Sequence, residues 1–154
     1  MIDKIDQKLL LALQKDCRQP ISALADQVSL SLSACHRRIK QLEENGIIQG
    51  YAASVDGKKV GYLIEFFIEV SLSSQREESL RTFEDAIRQV PEVLECHLMT
   101  GQSDYILRVG ASNTSDYERF YRDRIARLPG VSHIQSSLIL RTVTDWSGYT
   151  VKQV

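Results

Sequence analysis

Apolar residues recur along the chain with two different periods, and the change between them falls near residue 50. Up to that point the spacing is helical. Ile2, Ile5, Leu9, Leu10 and Leu13 follow one another at helical steps, which predicts an amphipathic helix over residues 3–15. Pro20 opens a short second helix with Ile21, Leu24, Ala25 and Val28 on one face. Val28-Ser29-Leu30-Ser31 is a turn, and Ser31 is a candidate N-cap for a third helix. In that helix Leu32, Cys35, Ile39 and Leu42 set an inward face, and Asn45-Gly46 ends it.

Beyond Ile47 the pattern turns extended. "IIQGYAASV" suits a short strand-like segment, and Asp56-Gly57-Lys58-Lys59 is polar turn material at a domain boundary. In "GYLIEFFIEVSL" Tyr62, Ile64, Phe66, Ile68, Val70 and Leu72 alternate with Glu65, Glu69 and Ser71, which predicts a half-buried strand. Leu63 and Phe67 make its second face partly apolar too. A helix follows with Leu80, Phe83, Ile87 and Val90, then strands in "PEVLECHLMT" and "YILRVGA" joined by "GQSD". A second helix carries Tyr117, Phe120, Tyr121, Ile125 and Leu128, and "PGVSHIQSSLILRTV" closes as a strand. The order strand–helix–strand–strand–helix–strand predicts a ferredoxin-like βαββαβ layout, with both helices on one face of an antiparallel sheet. The other face needs cover, and a second copy of the chain supplies it most simply, so an obligate dimer is expected. The fold class expected is α+β, with a helical unit over 1–50, a linker strand or hinge over 51–61, and a sheet domain over 62–154.

Composition narrows the setting. A chain of 154 residues with 43% apolar and 25% charged residues is that of a folded protein. No apolar run is long enough for a membrane helix and "MIDKIDQKLL" is no signal peptide, so a cytoplasmic protein without a membrane partner is expected. Three widely spaced cysteines, Cys17, Cys35 and Cys96, favour free thiols over a disulfide framework or a zinc site, with a redox role for Cys17 left open. Neither a metal site nor a cofactor is expected.

A net charge of −1 says nothing of nucleic acid, so any DNA-binding surface must be a local patch. Residues 24–47, "LADQVSLSLSACHRRIKQLEENGI", supply one. Two short helices across a tight turn form a helix-turn-helix, whose second helix fits the major groove of DNA. Ala25 is small enough for the helix crossing. Ser33, His36, Arg37, Lys40 and Gln41 offer donors and cations on the outward face, and Ser31 and Ser33 at the helix start can reach phosphates. The bland alternative is a structural three-helix unit with solvated charges. His36 reads equally as a base or phosphate contact and as a surface histidine. Arg38 is also expected among the DNA-binding residues, with a part in bracing the helix.

These residues resemble the N-terminal module of the Lrp/AsnC family of bacterial transcription regulators. The resemblance is carried by Ile2-Asp3, Asp6, Leu9-Leu10, Asp16, Arg18, Leu24-Ala25, Val28, Leu30-Ser31, Cys35, Arg38-Ile39, Leu42-Glu43 and Gly46-Ile47-Ile48, with "MTGQSDYILRV" in the second half. One departure is Ser29, where the family usually has glycine; it must tolerate a left-handed conformation, at about 1 kcal/mol, or use another turn. The resemblance implies a winged-helix-like DNA-binding domain followed by a ligand-sensing domain. It also implies double-stranded DNA as partner, homodimers that assemble into octamers, and control of genes of amino-acid metabolism or transport. A small effector, an amino acid, would bind between subunits near Leu98, Met99, Thr100, Gly101, Gln102, Ser103, Asp104 and Tyr105, with Ser136 and Ser137 contributed by a neighbour. Gly101 would let loop N–H groups approach a carboxylate, while Asp104 would either pair with an ammonium group or brace the loop. Without the resemblance "GQSDY" reads as an ordinary hairpin connection.

Two rivals stand beside this reading. A ferredoxin-like dimer can be an enzyme, with His97, Asp104, Tyr105 and His133 as acid–base groups, but no nucleophile–base spacing, phosphate loop or metal cluster accompanies them and no catalytic residue is assigned. Alternatively, the N-terminal helices could bind a protein partner.

Overall fold

In the computed structural model, which describes residues 2–152, the helical spacing becomes three helices: α1 (Lys4–Lys15), α2 (Ile21–Gln27) and α3 (Leu32–Glu44). Asp3 starts α1 with a capping box. Its carboxylate accepts from the N–H groups of Ile5 and Asp6, both at 2.8 Å, and the Asp6 carboxylate accepts from the Asp3 N–H at 3.2 Å. Pro20 precedes α2 and Ser31 caps α3, accepting from the Ala34 N–H at 3.3 Å. Leu9, Leu13, Leu24, Ala25, Val28, Cys35 and Ile39 form the core of this unit.

The α2–α3 turn is closed by the Leu30 N–H donating to the Ala25 carbonyl at 3.0 Å, with Ser29 at φ +55°. Of the two options open to Ser29, the turn takes the left-handed one. Among the described residues no other non-glycine has positive φ. Leu32 departs from its expected inward position and is 58% exposed, because it occupies the first turn of α3, ahead of where the helix meets the core.

The second unit contains β1 (Ile64–Leu72), α4 (Glu77–Ile87), β2 (Val93–Leu98), β3 (Tyr105–Ala111), α5 (Thr114–Asp123) and β4 (Val131–Leu138). The strands form one antiparallel sheet in the order β2-β3-β1-β4. This is the expected split βαββαβ arrangement. Phe66, Ile68 and Val70 of β1 and Tyr105, Leu107 and Val109 of β3 pack with Phe83, Ile87 and Phe120 from the helices in a single core. The opposite face carries Glu65, Phe67 and Glu69 beside Ile106 and Arg108, and Phe67 is 42% exposed there.

Three boundaries differ from those the sequence suggests. Residues 51–61 form no strand; Gly57–Val60 instead make a 3-10 turn that ends at Gly61, φ +101°. The α5 helix stops at Asp123, and Ile125 and Leu128 reach the core from a separate 3-10 turn at Ile125–Arg127. The sheet domain does not run to the end of the chain: residues 143–152 group with residues 2–54, because Gln14 on α1 holds the backbone of Tyr149.

A β-branched side chain tolerates φ above zero worst, so Ser29→Val should destabilise the helical unit by about 1–2 kcal/mol. Ser29→Gly should cost nothing. Urea unfolding of the two variants checks this, and a Val variant as stable as wild type would count against the strained turn.

Candidate DNA-binding face and effector loop

The side chains at the start of the helix-turn-helix divide by direction. Cys35, Ile39 and Leu42 are buried, which fixes the back of α3, and Ser33, His36, Arg37, Lys40 and Gln41 are exposed. Arg38 is different. Its guanidinium donates to Asp3 at 2.7 Å and Asp6 at 2.8 Å, so it ties α3 to the N-terminus of α1. The Asp6 and Asp3 carboxylates hold Arg38 protonated and above its ordinary value. Asp3 lies below the usual carboxylate range, first because of the Asp6 N–H and then because of Arg38. This corrects the expected DNA contact of Arg38: its guanidinium is engaged by Asp3 and Asp6, and bracing is what the geometry gives it.

The remaining candidates are less committed. Lys40 lies 3.6 Å from Glu44 in an exposed i,i+4 pair, a contact weak enough to yield to another anion. Ser31 is engaged in its cap and sits 3.3 Å from the Ser33 hydroxyl. His36 and Lys40 border a surface cleft of about 380 Å3 within the helical unit, lined also by Leu13, Leu24, Ile39 and Tyr51. Tyr51 donates to Glu43 at 2.7 Å, and partial burial beside that carboxylate pushes its phenol up to about 12. Sequence reasoning passed over Tyr51 and Glu43 because their spacing of eight bridges a helix end and an irregular segment.

The loop between β2 and β3 is a tight connection closed by the Met99 N–H donating to the Asp104 carbonyl at 2.8 Å. Asp104 braces it from below. One carboxylate oxygen accepts from the Leu72 N–H at 2.7 Å, the other from the Gln75 amide at 2.8 Å. Ser103 donates to Glu69 at 2.9 Å. Gly101 has φ +136° with open space where a side chain would be, and Leu98, Met99, Thr100 and Gln102 are exposed. Among the described residues the N–H groups of Gly101 and Gln102 donate to nothing.

One expected loop residue turns away from the loop, and the two β4 serines expected from a neighbouring subunit divide between the faces of their strand. Tyr105 is 1% exposed and points into the helix-side core, where its hydroxyl donates to Glu84 at 2.9 Å. Burial and that carboxylate push it well above the tyrosine range. Ser136 and Ser137 fall on opposite faces of β4: Ser136 pairs with Ile68 and accepts from the Tyr117 hydroxyl, while Ser137 pairs with Phe67 on the uncovered face. The imagined acid–base set does not assemble either, since His97 on β2 and His133 on β4 occupy the two outer strands.

A helix-turn-helix unit with a cationic outward helix, joined to a sheet domain with an open loop, defines a DNA-binding regulator that carries its own sensor. Residues 2–49 match the winged helix-turn-helix DNA-binding family and residues 65–147 the Lrp/AsnC ligand binding domain. The Bkd operon transcriptional regulator of Pseudomonas aeruginosa is 39% identical over 142 residues, 92% of this chain and 93% of that one. The proline dehydrogenase transcriptional activator of Rhizobium radiobacter is 36% identical over 144 residues, 94% and 92% of the two chains. A solved transcriptional regulator of Neisseria meningitidis in complex with L-methionine superposes with a TM-score of 0.89 at 34% identity, covering 94% of each chain. The chain belongs to the Lrp/AsnC family of transcriptional regulators.

The two adjacent arginines should respond differently to truncation. Arg38→Ala removes two charge-assisted hydrogen bonds, one to the nearly buried Asp6, and should cost about 1–2 kcal/mol in urea unfolding. Arg37→Ala should change stability by no more than about 0.5 kcal/mol. Equal unfolding midpoints would refute the division.

Proposed function

We propose that this protein is a cytoplasmic regulator of genes of amino-acid metabolism or transport, binding duplex DNA through α3 and an amino acid at the β2–β3 loop. The observation that carries the DNA half is the partition of α3. Arg38 faces inward to Asp3 and Asp6, so Ser33, His36, Arg37, Lys40 and Gln41 are left exposed on a helix braced against α1. Ser31 and the free N–H groups beside it suit a phosphate, and Arg37, Lys40 and Gln41 suit phosphates and base edges.

The effector half rests on the loop. Free N–H groups at Gly101 and Gln102 suit a carboxylate, and the exposed Leu98 and Met99 suit an apolar side chain. Asp104 acts as the brace that shapes the loop. Ser103 and Thr100 are polar contacts at its edge, and Ser137 on the uncovered sheet face is the better of the two β4 serines for reaching a neighbouring subunit's ligand. The L-methionine complex of the Neisseria regulator and the proline dehydrogenase activator support this choice of ligand and gene class. The uncovered sheet face, with Phe67 flanked by Glu69 and Arg108, is the surface on which dimers form, and further assembly to octamers follows the family resemblance. An effector seated between subunits alters DNA affinity by favouring one arrangement of subunits over another.

Gel shift with duplex DNA from upstream of the protein's own gene should weaken steeply with salt, by a log–log slope of about −0.9 per phosphate neutralised. Arg37→Ala should reduce that slope by about 1. Binding that ignores salt would sink the DNA reading. In a thermal-shift screen of the twenty amino acids, wild type should respond to at least one. Gly101→Val, strained at φ +136°, should lose the response while keeping its oligomeric mass. An unchanged response would move the ligand away from this loop.

A further inference from the structure

The chain leaves the sheet unit at Thr142, and residues 143–152 return to the helical unit. Among the described residues the hydrogen bonds that hold the return are at one place, with Val151 half-buried beyond it. The Gln14 side-chain oxygen accepts from the Tyr149 N–H at 2.6 Å, and its Nε2 donates to the Tyr149 carbonyl at 3.0 Å. One amide side chain thereby pairs with both polar groups of one residue, as a neighbouring strand would. Gly148 makes room for it. Its φ is +99°, and a Cβ there would overlap the Gln14 side chain. Trp146 meets Tyr149 edge-on with ring centroids 4.7 Å apart. Trp146 and Tyr149 nevertheless remain 75% and 74% exposed. The attachment thus depends on directional hydrogen bonds with little apolar burial, which makes it specific in geometry and easy to release.

We infer that residues 143–152 form a releasable strap, gripped by Gln14, through which the C-terminal end of the sensor holds the DNA-binding unit. Gln14 is a positioning residue in this device. The helical unit is joined to the sheet unit by two chain connections, one near residue 54 and one near residue 142, and the grip turns the second into a restraint on α1. A unit restrained twice has less motion to lose when it docks on DNA than one restrained once. The inference rests on the proposed DNA-binding function for its consequence, but not for the existence of the strap.

Trp146 is the chain's single tryptophan and reports on the strap directly. In the full-length protein its fluorescence anisotropy should decay with the slow tumbling of the whole particle. Gln14→Ala should introduce a fast nanosecond component. Gly148→Val, which presses on the same contact from the other side, should do likewise, and Gln14→Glu, which keeps the acceptor and loses the donor, should fall between. Because Gln14 is exposed, circular dichroism and melting temperature of Gln14→Ala should match wild type. Gel shift on the upstream duplex at low salt should show Kd raised about 5- to 10-fold in Gln14→Ala, with the salt slope unchanged because no phosphate contact is lost. Absence of a fast component in both Gln14→Ala and Gly148→Val would overturn the strap. A fast component with unaltered Kd would overturn its role in DNA binding. If wild type itself bound no DNA, the functional reading would fail, and the anisotropy result would still decide whether the strap exists.

Discussion

The helical unit turns on one guanidinium. Arg38 reaches from α3 to the two carboxylates that cap α1, and it does so with bonds of 2.7 and 2.8 Å. The same Asp3 and Asp6 satisfy the first N–H groups of α1, so one small cluster both starts a helix and fixes the crossing of two. A helix that must read a groove needs a back that does not move, because rotation about its own axis would sweep the outward side chains off their targets. Buried Cys35, Ile39 and Leu42 resist tilting, and the Arg38 pair resists rolling. The opposite end of α1 carries Gln14, the grip on residues 143–152. Thus α1 is the beam to which both α3 and residues 143–152 are attached.

The sheet domain solves a different problem with the same economy. Strict alternation in β1 sends Phe66, Ile68, Val70 and Leu72 beneath the helices and leaves Glu65, Phe67, Glu69 and Ser71 on the other side. That second face is neither polar enough for a purely solvated surface nor apolar enough for a closed core. Arg108 bridges Glu65 and Glu95 across three strands, at 2.8 and 3.1 Å, around the exposed Phe67. Arg108 offsets only one of the two carboxylate charges it bridges, so this face sets a net negative charge beside the exposed aromatic ring.

Most of this was legible in the sequence where a periodic signal repeats. The spacing of Leu9, Leu13, Leu24, Cys35 and Ile39, and the alternation from Ile64 to Leu72, each sample the same geometry several times, so the elements and their buried sides follow. Single positions were less legible. Leu32 fits the helical spacing yet lies outside the core, because periodicity gives direction and not depth along the axis. Ser136 and Ser137 are adjacent in sequence, but adjacent strand residues point to opposite faces, so the two hydroxyls do not form one polar patch. Tyr105 follows the loop signature closely but belongs to the core by strand parity. The grip of Gln14 on Tyr149 spans 135 residues and involves a backbone, so no side-chain pattern could announce it.

These corrections change how a nearly neutral protein can hold a polyanion. Three cations in residues 37–40 suggested a concentrated charge patch, but Arg38 is neutralised by two aspartates and Lys40 has Glu44 within 3.6 Å. The cations that α3 leaves available are therefore Arg37 and, because its exposed pair with Glu44 is weak, Lys40, assisted by uncharged donors. At about one released counterion per phosphate contact, a single unit with so few contacts binds DNA weakly at physiological salt. Two such units on one duplex would gain from the high effective concentration of the second contact. That gain exists only while the spacing of the units is defined. For heads that bind weakly one at a time, such a gain would make affinity depend on how the units are spaced.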